Sequence, residues 1–266
     1  IHWLILFSSF SFGILLGLLF SKTHRSLEII YSRSIPLVII LQLLFGGGII
    51  DPEPIRSGSK NYTMLISDLM VARWGYEAAM VYQFRNNDYQ KHFYNLDRDY
   101  YLSEVNTHQL IPVLRAQLQY CSNHFAEKRD SIQNLLNSLQ YNLELLASNH
   151  DIFPYENIQK LTLDEFNDEI SVDALEYLEY LEFYFSALMS RRKNDKNILE
   201  QKLIDSLGSD IFNKLKTTHY NYAVADRLTN NTTGETIKYY NGIPIQISYP
   251  IYQYPRSDFG RGQMFL

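Results

Sequence analysis

Along the chain, apolar residues come first as two long runs and later as a spaced pattern. Trp3 to Phe20 holds eighteen residues without a charge, interrupted only by Ser8, Ser9, Ser11, Gly13 and Gly17. As a helix rising 1.5 Å per residue it reaches about 27 Å, close to the thickness of a hydrocarbon core. A second run, Ile35 to Ile50, has sixteen residues, and starting it at Leu27 gives a helix of about 36 Å. Its leading turns, carrying Glu28 and Arg33, then sit at the interface or face protein. The pattern predicts two transmembrane helices, over about 3–20 and 27–50. Between them Ser21-Lys22-Thr23-His24-Arg25-Ser26 is a tight polar connector, and its two lasting positive charges assign it to the cytoplasmic side. Two crossings then place residues 51–266 on the external side.

A secretory signal peptide also has an apolar core, but it carries its basic residues before that core and small residues after it. Here the basic residues follow, and no methionine precedes Ile1. A start inside an apolar run, and an end at Met264-Phe265-Leu266 with no further run of about twenty apolar residues after Asn61, predict a piece of a longer chain.

From Tyr101 onward the apolar spacing is helical. Leu110, Val113, Leu114, Leu118 and Cys121 predict one amphipathic helix, and Ile132, Leu135, Leu136, Leu139, Leu143 and Leu146 a second. Ser171 is read as the start of a third, with Leu175, Leu178, Phe185 and Leu188 inward and Arg191-Arg192-Lys193 at its C-terminal end, where the macrodipole favours cations. Ile198 to Leu207 reads as a fourth, stopped at Gly208, and Asp210 to Asp226 as a fifth. After Leu228 the texture changes to Asn230-Asn231-Thr232-Thr233-Gly234, then alternating Ile243, Ile245, Ile247 and Tyr249 with prolines at 244, 250 and 255. That predicts turns and extended chain, with strands only where edges are covered. The fold class is therefore mainly α: two transmembrane helices in 1–50, a re-entrant or interfacial helical segment in 51–95, an external helical domain in 96–228, and an irregular or short-strand tail in 229–266 leading to a missing last transmembrane helix.

Charge sharpens the division. Residues 1–50 carry only Lys22, Arg25, Glu28 and Arg33, whereas the whole chain has 24 basic and 29 acidic side chains, net −5. An embedded start joined to an acidic aqueous part is not the profile of a nucleic-acid-binding protein. The single cysteine, Cys121, excludes an intramolecular disulfide and reads as a small buried hydrophobe. The 21 tyrosines fit a tyrosine-rich helical core more simply than a binding surface.

Three stretches, in order, resemble the membrane half of an ABC exporter of the ABCG (White-like) type. Gly13-Ile-Leu-Leu-Gly17-Leu-Leu-Phe-Ser21 is similar to the end of that family's fourth transmembrane helix. Ser34-Ile-Pro36-Leu-Val-Ile-Ile-Leu-Gln42-Leu-Leu-Phe45-Gly46-Gly47 is similar to its fifth, with Leu41 standing where the family has a second proline. Arg73-Trp74-Gly75-Tyr76-Glu77-Ala78-Ala79 resembles the signature of the external re-entrant segment and is the most specific of the three. The spacing from Phe45 to Arg73 agrees, and the likeness, which covers about residues 10–95, is to bacterial half-transporters with an enlarged external loop.

The resemblance implies the permease segment of an ATP-driven exporter in a bacterial inner membrane, working by alternating access. It implies a homodimer or heterodimer, an ABC ATPase domain that binds ATP and Mg outside these residues, and an exported substrate the sequence does not identify. Pro36, Gln42, Phe45, Gly47, Arg73, Trp74, Tyr76 and Glu77 are its gate and re-entrant candidates. Pro36 lacks an N–H and kinks or restarts a helix. Gly46-Gly47-Gly48 permits close backbone approach or simply ends the helix before Asp51-Pro52-Glu53-Pro54. Arg73 and Glu77, one turn apart, can pair on one face, with Trp74 and Tyr76 at interfacial depth.

No catalytic, cofactor or metal residue is predicted in this chain. There is no G-x-x-x-x-G-K-[ST], no G-x-G-x-x-G after a strand, no H-E-x-x-H and no G-x-S-x-G. The acidic cluster Asp164, Glu165, Asp168 and Glu169 lacks the alternating pattern of a calcium loop and reads as a solvated helix start. The histidines His24, His108, His124, His150 and His219 share no ligand spacing. The alternative reading is a membrane-anchored external binding or scaffold protein with a two-helix tether, which leaves the 73–79 signature as coincidence. A membrane-associated enzyme is a weaker third.

Overall fold

The computed structural model describes residues 2–23, 26–46, 70–125, 129–150, 152–229, 236–240, 243–246 and 249–252. The chain is mainly helical with little strand, and it separates into two compact units.

The first unit, residues 1–91 with 218–228 and 255–266, contains the two apolar helices. Helix α1 is His2–Thr23 and α2 runs over 27–45. Both are long and apolar enough to cross a membrane, and no residue of α1 is buried inside the protein. Within α2 an α turn Leu27–Ile29 leads into a π segment Ile30–Ser34 and then the α-helix Ile35–Phe45. The expected kink or restart at Pro36 takes this form. A proline ring presses on the carbonyl four residues back, and the helix widens by one residue just before it, with the Ile35 N–H bonding the carbonyl of Ile30. Helix α3, Val71–Asn86, packs against α1 and α2. Residues 47–69, including Gly47, Gly48 and the Asp51–Pro54 turn, lie outside the described residues.

The second unit, residues 92–217 and 229–254, has its own core. Helix α4 spans 90–124: α-helical over Gln90–Val105, π over Asn106–Leu110, and α-helical again over Ile111–His124. The π segment again directly precedes an Ile-Pro pair, Ile111-Pro112, and the Ile111 N–H bonds the carbonyl of Asn106. The same dipeptide thus follows the same local widening in an apolar helix and in an amphipathic one packed on a core.

The Ile111–His124 part of α4 packs between α5, Arg129–His150, and α6, Asp168–Leu207. Ile111, Leu114, Leu118 and Cys121 meet Ile132, Leu136, Leu139 and Leu143 from α5 and Leu178, Leu181 and Phe185 from α6 in one core. Each stripe recurs at three- and four-residue spacing, as the sequence pattern requires.

Helix α6 differs from expectation. It starts at Asp168, where the Asn167 side chain accepts a hydrogen bond from the Ile170 N–H at 2.9 Å, and it continues unbroken to Leu207. The third and fourth expected helices are thus one. No glycine or proline falls between Asp168 and Leu207, so nothing stops the helix at Arg191-Arg192-Lys193. Gly208, at φ 85°, does stop it. The expected fifth helix is two, α7 (Ser209–His219) and α8 (Tyr222–Thr229). In the tail, β1 (Ile237–Tyr240) and β2 (Ile243–Gln246) pair antiparallel with Tyr240 opposite Ile243. The residues between them in sequence are Asn241-Gly242, the dipeptide that two-residue hairpins favour.

Candidate functional site

Five of the eight residues singled out by sequence lie on or against α3. Its first turn has unsatisfied N–H groups, and its N-cap residue Met70 supplies no side-chain bond. Gln42 of α2 fills that role: its side-chain Oε1 accepts from the Ala72 N–H at 3.0 Å. Close approach makes the contact feasible. A Cβ at Gly46 would lie 2.2 Å from the carbonyl oxygen of Gln42 and 3.3 Å from the Ala72 Cβ, so there is no room for a side chain. On the α1 side, a Cβ at Gly75 would come 3.2 Å from Ile5 Cγ2, and the rings of His2 and Tyr82 meet edge to face with centroids 5.3 Å apart. Small residues on α3 thus seat it on both apolar helices, since only small side chains let helix backbones approach this closely.

The four buried residues of α3 are Arg73, Glu77, Met80 and Phe84, one stripe at helical spacing. Arg73 and Glu77 are each only 6% exposed. Two oppositely charged groups one turn apart are both taken out of solvent, an arrangement tolerable only where charge is compensated. The Arg73 guanidinium lies 5.3 Å from the centre of the Trp74 ring, and Trp74 itself is 43% exposed. Tyr76 carries a second cation on its face, the Arg227 guanidinium at 5.4 Å. The segment 218–228 also brings Tyr220 against Phe84 and Tyr89, at 6.4 and 5.7 Å between centroids.

Of the sequence candidates, Gln42, Arg73, Trp74, Tyr76 and Glu77 therefore lie on or against α3, while Pro36 follows the π segment of α2. Phe45 ends α2, with its side chain outside the described part, and Gly47 lies outside the described residues. Sequence reasoning missed Ala72, Ile5 and Arg227. The glycine at 75 was a usable sign of close packing, whereas nothing local marks Arg227, which is 151 positions from Tyr76.

In the second unit the acidic cluster lines an open cleft of about 910 Å³ at the start of α6, with Asp164, Glu165, Asp168 and Glu169 on its walls. Asp173 accepts from the Tyr155 hydroxyl at 2.9 Å and from the Asn157 amide at 2.6 Å. Burial, then this hydrogen bond and the carboxylate charge, hold the Tyr155 hydroxyl well above its ordinary pKa. Among the described residues no group of three or more His, Cys, Asp or Glu is placed to hold a metal ion. Cys121 is fully buried, and burial pushes its thiol up to about 11.

No family model, curated protein or solved structure matches this chain.

Proposed function

We propose that this chain is the permease segment of an ATP-driven exporter of the ABCG type, with α1 and α2 crossing the membrane and the second unit on the external side. The observation that carries the reading is the seating of α3. The helix bearing the Arg73–Ala79 stretch packs on both apolar helices, with its N-terminal N–H held by Gln42 and its charged pair buried. A tether needs two apolar helices but has no use for a third helix wedged on them with two sequestered charges. The positive charges of Lys22 and Arg25 support the orientation.

In this mechanism no covalent chemistry belongs to these residues. ATPase domains elsewhere in the assembled transporter close on ATP, α1 and α2 tilt, and α3, fixed to both, transmits the tilt to the external mouth of the pathway. Substrate passes by alternating access. Arg73→Ala and Glu77→Ala each remove one of two buried, oppositely charged groups one turn apart, and each is expected to impair export or assembly of the full transporter. Normal export and normal dimer yield in both variants would overturn the assignment. The tether reading has one observation of its own, that the second unit possesses a complete core, and it predicts that normal outcome.

A further inference from the structure

The stretch 161–190 carries eight carboxylates and no lysine, arginine or histidine. It lies largely in the first half of α6, where the apolar side chains divide between two faces. Leu178, Leu181 and Phe185 enter the core, whereas Val172, Tyr180 and Phe183 stand outward, 55%, 44% and 76% exposed. At about 100° per residue, Val172, Glu176, Glu179, Tyr180 and Phe183 fall within about 100° of arc. The outward rings and the exposed carboxylates of Glu176 and Glu179 therefore share one face. The segment leading into α6 widens it. The Tyr177 hydroxyl donates to the Phe153 carbonyl at 2.8 Å, and the Tyr155 hydroxyl and the Asn157 amide donate to Asp173 at 2.9 and 2.6 Å. These bonds fasten residues 153–157 along the helix and leave the Phe153 side chain 84% exposed. Tyr177 and Tyr180 stand between, with ring centres 6.0 Å apart.

Towards the start of α6 this aromatic shelf meets the acidic cleft, whose walls include Val172 and Glu176. From Phe183 to Asp168 shelf and cleft extend about 22 Å, the length of about seven residues of extended chain. We propose that this face binds a basic, extended peptide segment of another protein, its arginine or lysine side chains lying over the exposed rings of Phe153, Tyr180 and Phe183 and against the carboxylates of Glu176 and Glu179. An aromatic face attracts a cation, and a carboxylate beside the ring adds its charge. A wholly apolar partner would strip water from those carboxylates and put nothing in its place. An anionic lipid surface or a nucleic acid would be repelled. A small amine would touch only a fraction of so long a surface, whereas an extended chain covers it with alternate side chains. The site lies wholly in the second unit and does not depend on the exporter reading, which concerns α1 to α3.

The test uses the full chain in nanodiscs of zwitterionic phosphatidylcholine and, as probe, a fluorescein-labelled arginine–leucine heptapeptide, with a glutamate–leucine heptapeptide as control. Anisotropy is expected to rise with the arginine peptide alone, and less at high ionic strength. Tyr180→Ala with Phe183→Ala is expected to weaken binding about tenfold, and Glu176→Gln with Glu179→Gln about threefold, with a shallower salt dependence. Glu200→Gln with Asp205→Asn removes the same charge from exposed or half-exposed positions farther along α6 and is expected to leave binding unchanged. All these side chains lie outside the core, and equal urea midpoints verify that the variants fold. No binding of the arginine peptide, equal binding of the glutamate peptide, indifference to the aromatic pair, or an equal loss with Glu200→Gln and Asp205→Asn would each overturn the proposal. Each would leave the exporter reading untouched.

Discussion

The side-chain carbonyl oxygen of Gln42 accepts a hydrogen bond from the backbone N–H of Ala72 at 3.0 Å, tying α2 to the first turn of α3 across thirty positions of sequence. Replacing Gln42 with leucine keeps the volume and removes the acceptor. The variant is expected to lose about 1 kcal/mol of local stability, read as faster hydrogen exchange in the first turn of α3 with no change in α5. Unchanged exchange at residues 71–74 would show that the bond does not hold that turn.

Lys196 and Asp97 join α6 to the start of α4, with Nζ 2.5 Å from Oδ1 and the aspartate only 6% exposed. The lysine also stands 5.7 Å from the centre of the Phe93 ring. Lys196→Ala strips a counter-charge from a buried carboxylate and is expected to cost about 1–3 kcal/mol. Lys193→Ala, on the exposed side of the same helix, should stay within about 0.5 kcal/mol. Equal denaturation midpoints for the two variants would contradict this.

The same pairing explains why part of the fold was not legible in the sequence. The basic run at 191–193 has the composition of a helix end, and its true use depends on residues nearly a hundred positions earlier: Arg192 reaches Asp99 and Lys196 reaches Asp97. The apolar runs of α1 and α2 and the core stripes of α4 and α5 were legible because each is set by its own period. Gly208 was legible because a positive φ suits glycine. The hairpin was half legible: alternation at 243–249 was visible, and the Asn-Gly at 241–242 supplies the missing sign. At the candidate site Arg73, Glu77 and Gln42 could be named from sequence, but the burial of the first two, and the partnership of Gln42 with Ala72, depend on close packing between separate helices.

Alkali should weaken the second unit. Burial pushes Cys121 up to about 11, and burial with Tyr180 nearby pushes Tyr177 up to about 12. Burial and then Glu104 raise Tyr100 and Tyr249 as well. Each of these groups is neutral when protonated. The unfolded chain releases their protons near 9.0 for the thiol and 10.0 for the phenols, while the folded chain retains them. Above about pH 9 the unfolded state therefore binds fewer protons, and stability falls as pH rises; below it both states are protonated and these groups add no slope. Urea midpoints measured alongside tyrosinate absorbance should be flat with respect to these groups up to about pH 9 and decline above it, with part of the tyrosinate signal appearing only on unfolding. A midpoint that rises through the same range would contradict the burial of these groups.

Topology is open to direct labelling. Because Cys121 is buried with a raised pKa, it should remain unreactive towards an impermeant maleimide until the protein unfolds. Against that silent background, a cysteine replacing the exposed Ser206 should label in intact spheroplasts, and one replacing Thr23 at the end of α1 only after permeabilisation. The reverse pattern would invert the orientation.

The exporter reading makes its sharpest claim about what accompanies these residues in the complete protein. Sequencing the coding DNA on either side of the codons for Ile1 and Leu266 tests it most directly. The reading predicts a Walker A motif and an ABC signature upstream, and one further apolar run of about twenty residues downstream. A start codon immediately before Ile1 and a stop codon immediately after Leu266 would contradict it and leave a two-helix anchor.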